Sequence, residues 1–147
     1  MIKSILVPVV GTASDLSVFT SALAVAGACK AHLDFLYTGL DAVTTRSLLS
    51  LEGTSAKLIA DLIERVEREA DQRERQAKQL FESFCKTEQL ALAAAPASGP
   101  FPSATWFTEV GSEPDRVTEY ACTADLLVIG RPEASDSIRS ETRGQLS

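Results

Sequence analysis

Residues 4–39, SILVPVVGTASDLSVFTSALAVAGACKAHLDFLYTG, decide the fold class. Residues 4–10 form a short apolar run rich in β-branched side chains and bounded by Gly11 and Thr12, the pattern of a buried strand. Pro8 removes a ladder donor, so it fits only near a strand end. Ser14 stands where a helix cap is expected, and Leu16, Phe19, Leu23 and Ala26 share one face of a helix running to about residue 30. HLDFLYT, residues 32–38, is a second strand, closed by Gly39. The helix between the two strands is long enough for a crossover, so they pair in parallel.

The same alternation continues. Between residues 55 and 86, apolar positions Ile59, Ile63, Val66, Ala70, Ala77, Leu80 and Phe84 recur at spacings of three and four, with Arg73 interrupting the stripe. The other faces carry Asp61/Arg65, Glu64/Arg68, Glu69/Arg73, Asp71/Arg75, Glu74/Lys78 and Glu82/Lys86. In each pair the acid precedes the base by four residues, the better orientation, worth about 0.2–0.5 kcal/mol. This is a solvated crossover helix, with a partner-binding coiled-coil seam as the alternative. At 1.5 Å per residue it reaches about 48 Å, so it bends or one end projects. ALAAAPASGPFPSA reads as a loop, ATWFTEV as a third strand, and Pro114 opens a short helix to about residue 122. DLLVIG is a fourth strand, apolar on both faces. The alternating order calls for a parallel sheet covered by helices.

The bulk numbers narrow the function. A chain of 147 residues, 45% hydrophobic, suits one domain with a core. Net charge is −6, which offers no electrostatic footprint for nucleic acid or an anionic membrane. The three cysteines, Cys29, Cys85 and Cys122, fit neither a disulfide framework nor a zinc spacing, and imply a reducing cytoplasm. No apolar run is long enough to span a bilayer, and Asp15 breaks the stretch that most resembles a signal peptide.

Ligands of open parallel sheets settle at strand carboxyl ends where the strand order reverses. The candidate loops are VVGTASD after the first strand and IGRPEASDS after the fourth. Each opens with a glycine, which permits close backbone approach, but a plain turn needs the same residue. There is no G-x-G-x-x-G and no Walker lysine motif, so neither a Rossmann dinucleotide site nor a P-loop is indicated.

ILVPVVGTASDLS and VGSEPDRVTEYACTADLLVIGRP together resemble the opening and later segments of universal stress proteins. The resemblance follows the element order over most of the chain and is specific in these two stretches. It implies an open, doubly wound, three-layer α/β fold of flavodoxin or Rossmann type, dimerisation, stress-linked expression and, in one branch, ATP binding. That branch carries an Asp at the end of the first strand and a loop of the form G-x-x-G-x9-G-[ST].

Carried onto this sequence, the pattern is incomplete. Gly11 and Thr12 match the turn, and Gly130 matches the first loop glycine. Val10 replaces the Asp, Glu133 replaces the second glycine, and Arg143 stands at the third; Gly144 restores that glycine only with an insertion, and Gln145 then replaces the Ser or Thr. A carboxylate about 5 Å from a phosphate charge is repelled by roughly 3 kcal/mol at an effective dielectric near 20. Arg131 offsets part of this. The nucleotide crevice of Val10, Gly11, Thr12, Gly130, Arg131 and Glu133 therefore reads as degenerate. No cofactor is expected, and ATP is the one to test. The family continues into a further helix and strand, so residues 1–147 read as a single domain lacking them: the first part of a longer, tandem protein or a truncated chain, with a divergent protein whose sheet edge the Ser/Arg-rich tail covers as the alternative. The expected partner is a second copy, as a homodimer, or a tandem domain.

Nothing else reads as catalytic. His32 has no Cys or carboxylate at triad or ligand spacing and reads as structural. Cys122 reads as a small buried hydrophobe. Trp106 and Phe107 alternate, one toward the core and one toward a helix or partner. Ser135, Ser137 and Ser140 belong to a polar loop, and no metal cluster stands out. The expectation is a non-catalytic stress module working through dimerisation and protein contacts. An adenine-nucleotide sensor and a slow ATP hydrolase are the alternatives.

Overall fold

The computed structural model describes residues 2–41, 55–92 and 102–130. In chain order these form β1 (Ser4–Val9), α1 (Asp15–Cys29), β2 (His32–Gly39), α2 (Ala56–Thr87), β3 (Ala91–Leu92), β4 (Ser103–Val110), α3 (Glu113–Ala121) and β5 (Leu126–Leu127). The sheet runs β3-β4-β2-β1-β5, and every neighbouring pair is parallel.

The chain winds outward and then back. From β1 it moves through α1 to β2 and through α2 to β3 at the edge, both helices on one face, and β4 takes the place between β3 and β2. It then returns through α3 on the opposite face to β5, beside β1. This is the doubly wound α/β plan expected from the alternating pattern, and it puts the reversal of strand order at β1.

Period-two alternation builds the core. Ile5, Val7 and Val9 of β1, Leu33, Phe35 and Tyr37 of β2, and Ala104 of β4 are buried in one cluster with Phe19, Ala22 and Ala26 of α1. Phe81 and Phe84 of α2 complete it. Phe19 meets Phe35 edge-on at 4.9 Å and Phe84 at 5.5 Å, while Phe81 lies 4.8 Å from Phe35 and 5.0 Å from Trp106. Such ring pairs contribute about 0.5–1.5 kcal/mol each beyond their area burial. Trp106 faces this core, and Phe107 turns to the other face against Tyr120 of α3 at 5.3 Å.

Several expectations need correcting. Ala91 and Leu92, read as the start of a loop, pair in parallel with Ser103 and Ala104. Two residues are too short to show a strand period. The buried stripe of α1 is Asp15, Phe19, Ala22 and Ala26, while Leu16 is exposed. The helix is rotated because Asp15 is bonded inward. β5 is two residues long and pairs only with Ile5 and Leu6; Leu127 and Ile129 are exposed rather than buried on both faces. Among the described residues β5 has one neighbour, which leaves its outer side uncovered. Pro8 is tolerated as the next-to-last residue of β1, beyond the reach of that pairing. Cys122 is exposed, since α3 ends before it, whereas Cys85 is buried and its thiol is pushed up to about 11, first by desolvation.

The long helix buries Ala77, Phe81, Phe84 and Cys85, all in its second half. Ser55 caps it, accepting from the Leu58 N–H at 3.2 Å. Of the six acid–base pairs read from the sequence, Glu64–Arg68 closes at 2.7 Å among the described residues. Arg73, predicted to pair with Glu69, is drawn elsewhere.

Candidate functional site

β1, β2 and β4 all end at the same edge of the sheet, and β5 runs toward it. The chain leaves each of them at or beside a glycine: Gly11, Gly39, Gly111 and Gly130. Next to these stand Val10, Leu40, Val110 and Ile129, all exposed. Apolar side chains are thus gathered at the strand ends where a doubly wound sheet binds its ligands.

The turn after β1 is closed from within. Asp15, 1% exposed, accepts from the backbone N–H of Val10 at 3.1 Å and of Gly11 at 2.7 Å. Its position in the first turn of α1 also places its negative charge at the positive end of the helix dipole. Hydrogen bonds to a charged acceptor are worth about 1.5–3 kcal/mol each, which accounts for a carboxylate so deeply placed. Ser14, expected to cap the helix, makes no cap bond; its hydroxyl meets that of Thr12 at 2.7 Å. The N–H groups of Val10 and Gly11 are thus taken by the protein's own carboxylate.

Two glycines here are required by space. Gly11 has φ +89°, and a Cβ on it would fall 2.6 Å from Cγ of Arg73. A Cβ on Gly130 would fall 2.7 Å from Cγ2 of Val18. Both are close-approach positions. Arg73, the break in the apolar stripe of α2, is therefore the residue laid across the end of β1.

Beside it lies a cavity of about 220 Å³ lined by Val9, Val10, Tyr37, Thr38, Leu40, Ala70, Arg73 and Glu113, with Gly39 and Gly111. The Thr38 hydroxyl is buried and finds no hydrogen-bond partner among the described residues; the same holds for Nε of Arg116, which sits 4.0 Å from the Cβ position of Gly111. Burial pushes the Tyr37 phenol above its ordinary value, with Arg73 acting in the opposite direction.

Of the six crevice residues read from the sequence, Val10 lines the cavity, Gly11 carries Arg73, and Thr12 is held in the turn by Ser14. Gly130 lies against α1, away from the cavity lining. Arg131 and Glu133 lie outside the described residues, as do Ser135, Ser137 and Ser140. Missed were Asp15, whose role needs the backbone to fold back onto it, and Arg73, whose only signal was an arginine in an apolar stripe.

At the opposite edge, His32 is fully buried and its surroundings differ from the expectation. Nδ1 lies 2.6 Å from the Ser103 hydroxyl, and Nε2 lies 2.7 Å from the Thr105 hydroxyl and 3.1 Å from a carboxylate oxygen of Asp34. A carboxylate is therefore close after all, because residues two apart in a strand share a face. The two hydroxyls tie β2 to β4, and the Asp34 carboxylate faces the imidazole from within β2.

No protein-family model matches the sequence, and no curated protein matches it. Among solved structures, the chain is similar to the universal stress protein UspA from Lactobacillus plantarum, at 21% identity and a TM-score of 0.49, over 90% of this chain and 81% of that one.

Proposed function

We propose that the chain is a universal-stress-type module that does no catalysis, holds a degenerate nucleotide crevice and works through contacts with protein, as a homodimer or beside a tandem domain. The observation that carries this reading is the Asp15 carboxylate on the amides of Val10 and Gly11. An internal anion fills two donors at the start of the first loop, and Val10 offers no polar group in place of the Asp found in the ATP-binding branch. The doubly wound strand order and the two sequence segments quoted above support the family reading. Among the described residues no cluster of His, Cys, Asp or Glu is poised to hold a metal ion, and no helix is long and apolar enough to cross a membrane. Three free cysteines fit work in a reducing cytoplasm.

Restoring the missing chemistry tests the reading. The triple variant Val10→Asp/Asp15→Ala/Glu133→Gly, which also frees the Val10 and Gly11 amides, is expected to gain magnesium–ATP affinity measurable by calorimetry, where the parent shows none. A folded triple variant as inert as the parent would remove this explanation of the lost site.

A further inference from the structure

The cavity at the ends of β1, β2 and β4 has a charge pattern that a nucleotide does not match. Arg73 and Glu113 line the same space of about 220 Å³, one from α2 and one from the first turn of α3. Among the described residues they form no ion pair with one another. Arg73 also leaves its helical neighbour Glu69 and lies across Gly11. The lining also includes the apolar side chains of Val9, Val10, Leu40 and Ala70. Thr38, whose buried hydroxyl has no partner among the described residues, belongs to the same wall. A cation and an anion that line one cavity without pairing, together with aliphatic side chains and a buried hydroxyl, are complementary to a compact molecule that carries both charges and an aliphatic group.

We infer that this cavity binds a small apolar α-amino acid as its zwitterion. The ligand carboxylate is held by the Arg73 guanidinium, its ammonium by the Glu113 carboxylate, and its side chain by the strand-end aliphatics. The inference concerns the same strand ends and rests on their being closed to nucleotide phosphate. Asp15 makes that closure and, by using the Val10 and Gly11 amides, leaves Arg73 as the anion-holding group.

The test uses L-leucine and two analogues that each lack one charge, 4-methylpentanoate and isoamylamine. Calorimetry gives affinity. Fluorescence of Trp106, the chain's one tryptophan, which stacks on the cavity residue Tyr37 at 6.3 Å, reports occupancy. Leucine is expected to bind, and each analogue to bind at least about tenfold more weakly. Arg73→Met and Glu113→Gln should each weaken leucine by a similar factor. Both side chains are exposed, so unchanged thermal melts are expected to show that the variants fold. Silence with leucine, equal binding of 4-methylpentanoate, or full retention in Arg73→Met overturns the inference. Magnesium–ATP run in parallel separates the two readings: ATP binding overturns the degenerate-crevice proposal, whereas leucine silence without ATP binding overturns the zwitterion site alone.

Discussion

At the amino end of the sheet, His32 is enclosed by Ser103, Thr105 and Asp34, and Asp125 accepts from the N–H groups of Lys3 at 2.8 Å and Ser4 at 3.1 Å. At the carboxyl end, the Thr38 hydroxyl and Nε of Arg116 are buried without partners among the described residues, and Val10, Leu40, Val110 and Ile129 are exposed. The same parallel strands thus end in a satisfied polar seam at one edge and in unmet polar and apolar groups at the other. Buried polar groups are normally paired, so the two ends differ in kind: the first fixes the register of β2 against β4, and the second is where the proposals above place a ligand.

Substitutions at the two edges should therefore behave differently. The largest effect is expected from His32→Ala, which takes the imidazole from the Ser103 and Thr105 hydroxyls and opens a cavity. It should cost about 3 kcal/mol in urea unfolding. A cost within experimental error of zero would mean that the seam does not hold the strands.

A matched pair sharpens the contrast. Thr105→Val removes a bonded hydroxyl and should destabilise by about 1 kcal/mol, whereas Thr38→Val removes an unbonded one and should be neutral or stabilising by up to about 1 kcal/mol. Equal losses at the two positions would erase the distinction between the edges.

The smallest effect concerns α3, which covers the second face. The Tyr120 hydroxyl donates to Glu109 at 2.6 Å, and that bond, more than burial, raises the phenol from 10.0 to about 12. The unfolded chain then loses this proton first. The contribution is complete below pH 10 and falls away as pH rises from 10 to about 12. Alkaline denaturation should show this decline in the parent and a shallower one in Tyr120→Phe; parallel curves would mean that the bond is absent in solution.

How much of this was legible in the sequence varied with the range of the forces involved. β1, α1, β2 and β4 follow from short-range apolar periodicity, and Gly11 and Gly130 from the strand–turn pattern. Trp106 and Phe107 alternate across the sheet as a strand requires. β3 escaped because two residues carry no period. Asp15 escaped because a charge beside a polar turn reads as solvated, and only backbone amides closing around it make it a core residue. Arg73 was visible as an interruption, but where it goes depends on Gly11, which lies distant in the chain. His32 and Asp34 share a strand face, and their contact could have been read from that spacing.

Native mass spectrometry of the freshly purified chain, before and after addition of ATP and magnesium, tests the central claim most directly. With the Asp15 carboxylate on the amides after β1, the account predicts a nucleotide-free species in both spectra. An adenine nucleotide carried through purification, or taken up on addition, would contradict it.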